Sequence, residues 1–247
     1  MKKTILIVLL LTLVSCKMVN RMVINHYANT FKITRYTNGD KEIAYLPMVH
    51  LSKLEFYEKV KRSVDSLRAL NYTVFYEGIA PNEATDSIAK AEMWKKLRKV
   101  VGFYPDYSNK ELFKSLAIKG YVKQTLINTG VNGKTDVHAD LPLNELIAAY
   151  EKGRGEIQLS EYDRQTPLNQ KYKAGKINQE NSDYLIQSLR NDHLAKMVIE
   201  SKARKIAILY GKLHMYELAH RLKQSDSLWH YKSILETDTP EIKSVID

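Results

Sequence analysis

KIAILYGKLHMYELAHRL, Lys205 to Leu222, decides the fold. Its first seven residues form an apolar run that reads as a buried strand. Gly211 breaks the run, and HMYELAHRL then returns apolar residues at helical spacing. A histidine, His214, stands three residues past that glycine. Its imidazole is either packed into the core or aimed at a site, and the segments that surround it in the sequence bear on which.

Upstream, FKITRYT alternates, Asn38-Gly39 is a tight-turn signal, and KEIAYLPMVH resumes an extended pattern that ends near His50. Pro47 lies inside this second strand, which is therefore expected to be an edge strand or to break early. Ser52 and Glu55 match a capping box, and Tyr57, Val60, Val64 and Leu67 follow at helical spacing until Asn71. YTVFYEGI is a short strand that stops at Glu77-Gly78. Strand, helix and strand together make a βαβ unit, which favours parallel pairing. The middle reads as helical over Glu83–Val101, closed by Gly102 and Pro105. A second capping box, Ser108 with Glu111, precedes an apolar face of Phe113, Leu116 and Ala117. YVKQTLI is expected as a strand. Asp140 or Pro142 then opens a helix carrying Leu143, Leu146, Ile147 and Tyr150. The polar stretch Gly153–Ser182 is a lid or an insertion loop, Ser182–Ser201 a helix, and LWHYKSIL a closing strand. The expected class is α/β: a central mixed, largely parallel sheet flanked by helices, with a helical middle insertion and no internal repeat.

The opening MKKTILIVLLLTLVSC has two lysines and then an apolar run shorter than the ~20 residues a membrane-spanning helix needs. It has the layout of a secretory signal, and Leu13-Val14-Ser15-Cys16 resembles the lipobox of bacterial lipoproteins. This implies a signal peptide over residues 1–15, a lipidated tether over 16–30 beginning at acylated Cys16, and one domain over 31–240. The expected location is the bacterial cell envelope, exported and lipid-anchored at the outer membrane or facing the periplasm. Cys16 is the only cysteine, so once acylated it leaves no thiol for a disulfide, a nucleophile or a zinc site. The formal charge is +10. Lysines interleave with acids along helical segments, as in KLEFYEKVKRSVD, with no arginine–aromatic stripe. The charge reads as a solvated surface suited to anionic lipid head groups, with no nucleic-acid partner.

Three extended runs end in useful chemistry: the first at His50, the second at Glu77, the third at Gly211 with His214 beyond. In open α/β sheets, ligands gather outside the carboxyl ends of the strands. Two histidines and a carboxylate are a ligand set for a divalent metal with open positions, and equally a metal-free acid–base set. Taken singly, each residue is more often structural; their coincidence makes the case. ILYGKLHM resembles the second G-x-x-H motif of the TraB/PrgY/GumN family, whose eukaryotic relatives include the Tiki proteases. MVHLSKLEFYEKV resembles its first histidine motif, VFYEGI its strand-end glutamate, SLRNDHLAKMV its R-N segment, HADLPLNEL its central acidic segment, and LWHYKSIL its last strand. The resemblance implies a hydrolase of peptide or amide bonds, with Mn, Co or Zn held by His50, Glu77 and His214 as catalytic groups. It equally allows a regulatory lipoprotein that binds a peptide without turnover. Pro47 stands where the family usually has glycine, a departure that favours the second. Arg190 is the fourth candidate catalytic residue, its planar fork suited to a carboxylate or phosphate. Tyr76 and Tyr210 flank the site in sequence as candidate substrate-binding donors, with core packing the commoner role. His26 lies in the tether, His220 falls on a different helical face from His214, and His138, His193 and His230 have no evident partner in the sequence. No G-x-S-x-G, P-loop, H-E-x-x-H or dinucleotide fingerprint is present.

Overall fold

A computed structural model describes residues 22, 25, 26, 31–104 and 120–235. The expected signal peptide, Cys16, Pro105 and the expected second capping box with its Phe113 face lie outside the described residues.

The described residues form eight strands: β1 (Ile33–Thr37), β2 (Glu42–Met48), β3 (Leu51–Ser52), β4 (Thr73–Tyr76), β5 (Val122–Lys123), β6 (Val137–His138), β7 (Lys205–Gly211) and β8 (His230–Leu235). Six make one sheet in the order β6-β4-β7-β2-β1-β8. β7 pairs in parallel with β2 and β4, and β4 with β6; β1 is antiparallel to β2 and β8. The fold is thus α/β with a mixed, mostly parallel sheet. Its centre is the strand read first. Ala207 and Leu209 join a first core, while Ile206, Ile208 and Tyr210 join a second. β2 splits likewise, with Ile43 and Tyr45 on one face and Ala44, Leu46 and Met48 on the other. The first core is closed by α1 (Leu54–Ala69) through Tyr57, Val60, Val64 and Leu67. The second is closed by α6 (Leu189–Glu200) and α7 (Met215–Ser225), through Leu194, Val198, Leu218 and Leu222. Covering both faces is what lets a parallel sheet carry continuous apolar strands.

Two expectations about β2 and α1 are corrected. β2 is internal and runs through Pro47, which pairs with Tyr210 of β7. The proline is tolerated because pairing with β1 stops at Tyr45, so the ladder on that side has ended before Pro47. The capping box at Ser52 does not form. Ser52 pairs with Val122 in the small β3–β5 sheet, Lys53 takes the cap position without a side-chain bond, and the buried Ser52 hydroxyl has no partner. The terminator Asn71 holds: it adopts φ +66°, the left-handed conformation that ends a helix.

The middle forms α2 (Ser87–Val101), capped by Asp86 and stopped by Gly102 at φ +86°, and α3 (Leu143–Arg154), opened by Pro142. Of YVKQTLI only Val122 and Lys123 pair as a strand. The stretch Gly153–Ser182 carries α4 (Glu161–Gln165) and most of α5 (Gln179–Asp183). It is pinned rather than loose: buried Arg98 of α2 donates to the carbonyls of Asp163, Thr166 and Pro167 at 2.8–2.9 Å. The expected Ser182–Ser201 helix contains a π-helical turn, Tyr184–Ser188, just ahead of α6. Among the described residues, no helix is long and apolar enough to cross a membrane.

Candidate functional site

The parallel strands β2, β4 and β7 end at one rim, with Met48 level with Gly211 and Tyr76 level with Leu209. His50 follows β2, Glu77 follows β4, and His214 closes the 3-10 turn after β7. Beside this rim lies a cleft of about 390 Å³. Its walls are apolar, with Ile79, Trp94, Leu97, Phe103, Leu126 and Ile186 among them, and its polar end is formed by His50, Glu77, Gln124 and Arg190. The volume suits a small ligand or a large side chain.

Arg190 organises the polar end. The π-helical turn precedes it, a device that recurs where a helix must re-aim a side chain. Its guanidinium grips Asp140 in a fork, Nε to Oδ1 at 2.9 Å and Nη2 to Oδ2 at 2.7 Å. Nη2 also donates to Glu77 Oε1 at 2.6 Å. The other Glu77 oxygen accepts the Gly211 N–H at 2.6 Å. Gly211 has ordinary φ of −51°, so its glycine serves close approach: a Cβ there would stand 3.3 Å from Glu77 Oε2. Asp140 further accepts from Tyr210 OH at 2.8 Å and Gly78 N at 3.0 Å.

His214 lies behind this group. Its Nε2 is 3.4 Å from Arg190 Nη1 and 4.0 Å from Glu77 Oε1. A guanidinium can only donate, so Nε2 is the acceptor and Nδ1 carries the proton, donated over 3.3 Å to Asn191 Oδ1. Burial and then the Arg190 charge push the imidazole down to about 4, so it is neutral at pH 7. Burial would raise Glu77, but Arg190, His50 and His214 outweigh it and hold the carboxylate below its usual range. Asp140 is likewise held down, Arg190 again overcoming burial. The buried charges are therefore one cation against two anions.

His50 stands exposed at the cleft mouth, with Nδ1 3.2 Å from Gln124 Oε1. The β3–β5 pairing brings that glutamine across. The two tyrosines sit away from the cleft lining. The Tyr210 hydroxyl is spent on Asp140, and Tyr76 packs against the first core and tilts over His138 at the end of β6. Asp140 and Asn191 belong to the site and were not among its candidate residues. The available signals were the resemblance of HADLPLNEL, which contains Asp140, to a central acidic segment and of SLRNDHLAKMV, which contains Asn191, to an R-N segment; the two-residue strand before Asp140 is too short to show a period.

The residues fit a divalent cation poorly in this arrangement. Glu77 Oε1 and His214 Nε2 both face the Arg190 guanidinium, which occupies the place a shared metal would take. Among the described residues no group of three His, Cys, Asp or Glu side chains is gathered to hold a metal. Compared with family models, characterised proteins and solved structures, the chain finds no significant match.

Proposed function

We propose that this is a lipid-anchored envelope protein on a TraB/GumN-like scaffold, and that its cleft binds a peptide by an apolar side chain. The observation that carries the reading is the state of the polar end. Glu77 has both oxygens engaged, Asp140 is enclosed, and His214 is neutral and sits behind Arg190. Such a group is a rigid frame for recognition, and a carboxylate held below its usual range is a weak base at neutral pH. Apolar walls supply the binding energy, while the main-chain groups of a peptide can meet His50 and Gln124 at the mouth.

A second reading, hydrolysis of a peptide or amide bond, is favoured by one observation: His50, Glu77 and His214 follow three neighbouring parallel strands at the same rim. In that case Arg190 would have to withdraw from Glu77 before either a metal or a water could use it. Incubating the acylated protein with candidate peptides, with and without Mn, Co or Zn, separates the two by mass spectrometry. Saturable binding with peptides intact, unchanged by chelator, supports recognition. Cleavage that chelator abolishes and His214→Ala removes overturns it in favour of hydrolysis.

A further inference from the structure

The wall that carries Gln124 also faces the chain's N-terminal segment. The Tyr121 hydroxyl donates to the side-chain oxygen of Asn25. Asn25 lies nine residue steps after Cys16, with eight residues between them. Fully extended, such a segment reaches about 32 Å at most. An acyl chain on Cys16 therefore keeps Tyr121, and the cleft mouth beside it, within that distance of the bilayer.

The same wall is apolar where it meets solvent. Ile127 is 86 % exposed and Leu126 44 %, and Leu126 lines the cleft together with Phe103, itself 48 % exposed. Val122 and Leu54, at the adjoining β3–β5 sheet and the start of α1, are also exposed. Exposed apolar side chains at the lining of a cleft and in the segments that adjoin it mark a place where something docks. Lys53 and Lys123 lie beside it, on a chain with formal charge +10.

We propose that residues 121–127, with Phe103 across the mouth, form a membrane-docking surface that turns the cleft toward an anionic bilayer. This rests on the acylation of Cys16. The peptide that enters would then be one held at, or released from, the membrane, its apolar side chain passing from lipid to cleft without crossing water.

The opposite rim supplies the internal control. Leu228, 66 % exposed, precedes His230, which pairs with Thr37 near the start of β2, a strand's length from the cleft. The test uses the full acylated chain in vesicles of phosphatidylethanolamine and phosphatidylglycerol. An environment-sensitive fluorophore is attached at Ile127→Cys or Leu228→Cys, and nitroxide-bearing lipids serve as quenchers. The expected result is a blue-shifted Ile127 label quenched at least twofold more than the Leu228 label, with the difference shrinking when phosphatidylglycerol is omitted. Equal quenching at both positions, or an Ile127 label shielded from water yet untouched by lipid nitroxides, as in a dimer of this chain, overturns the proposal. The mass of the purified protein isolates the premise: Cys16 without acyl chains and no vesicle binding overturns the lipid-anchor reading along with it.

Discussion

Asp140 accepts five hydrogen bonds, two from Arg190 and one each from Tyr210, Gly78 and Leu141. An amide at this position would keep the size, lose the charge and turn an NH₂ group toward donors. Breaking a buried pair by neutralising one partner costs about 3–5 kcal/mol. Asp140→Asn should lose that much in urea unfolding. Glu77→Gln should lose less, since Arg190 keeps its fork on Asp140. His214 gives the site a pH signature. It titrates near 6.5 in the unfolded chain and about 4 when folded, so as pH falls through 6.5 the unfolded state binds protons first. Its contribution is fully present above 6.5 and is lost by about 4, with a ceiling of about 3 kcal/mol. Thermal melts between pH 7 and 4.5 should show this decline in the native protein and a flatter profile in His214→Gln. Glu77 and Asp140 contribute fully above the usual carboxylate range, and their contributions are lost from that range downward as pH falls through their depressed folded values. In the sequence, Glu77 and His214 were legible because each ends a recognisable strand. Arg190 was legible as a carboxylate binder but its partners were not, because an arginine on a helix reads the same whether it is buried against carboxylates of the same chain or exposed to a ligand.

Elements built from long periodic patterns were legible, and short ones were not. The continuous apolar runs of β2 and β7 and the 3.6-residue spacing in α1 each recruit several side chains to a core, so their energies dominate local signals. β6 has two residues and borrows its geometry from β4; nothing local marks it. The π-helical turn costs one residue of register in an otherwise helical pattern and leaves no sequence trace. Ser52 shows a local rule losing to tertiary pairing. S-x-x-E is a sound cap signal, yet the β3–β5 ladder takes Ser52 first and buries its hydroxyl without a partner. The two accounts predict opposite results. A cap serine would cost about 1 kcal/mol on replacement by alanine. An orphaned buried hydroxyl carries a desolvation penalty, so Ser52→Ala should leave stability unchanged or raise it by up to about 1 kcal/mol, read as the denaturant midpoint at constant slope.

At the scale of the whole molecule, the cleft is a joint between a rigid sheet and a strapped insertion. β2, β4 and β7 set one side through two cores that do not involve residues 156–183. The other side depends on α2, which turns Trp94, Leu97 and Val101 into the cleft and holds the insertion with its next residues. Arg98 reaches three carbonyls and stacks its guanidinium 4.3 Å from the ring centre of Tyr172, while Lys99 pairs with Asp163 at 2.7 Å. Replacing Arg98 by methionine keeps much of the packing volume but strips those carbonyls of their donor. The loss should therefore be local, because no residue of that strap belongs to the cores around β2 and β7. Hydrogen exchange followed by mass spectrometry should show peptides from residues 156–173 and from α2 exchanging at least tenfold faster in Arg98→Met. Peptides covering β2 and β7 should be unchanged. Ligand affinity should fall with them, since Trp94 and Leu97 ride on the loosened helix. Uniform acceleration across the sheet would mean that the insertion belongs to the same cooperative unit as the cores and that the joint does not exist.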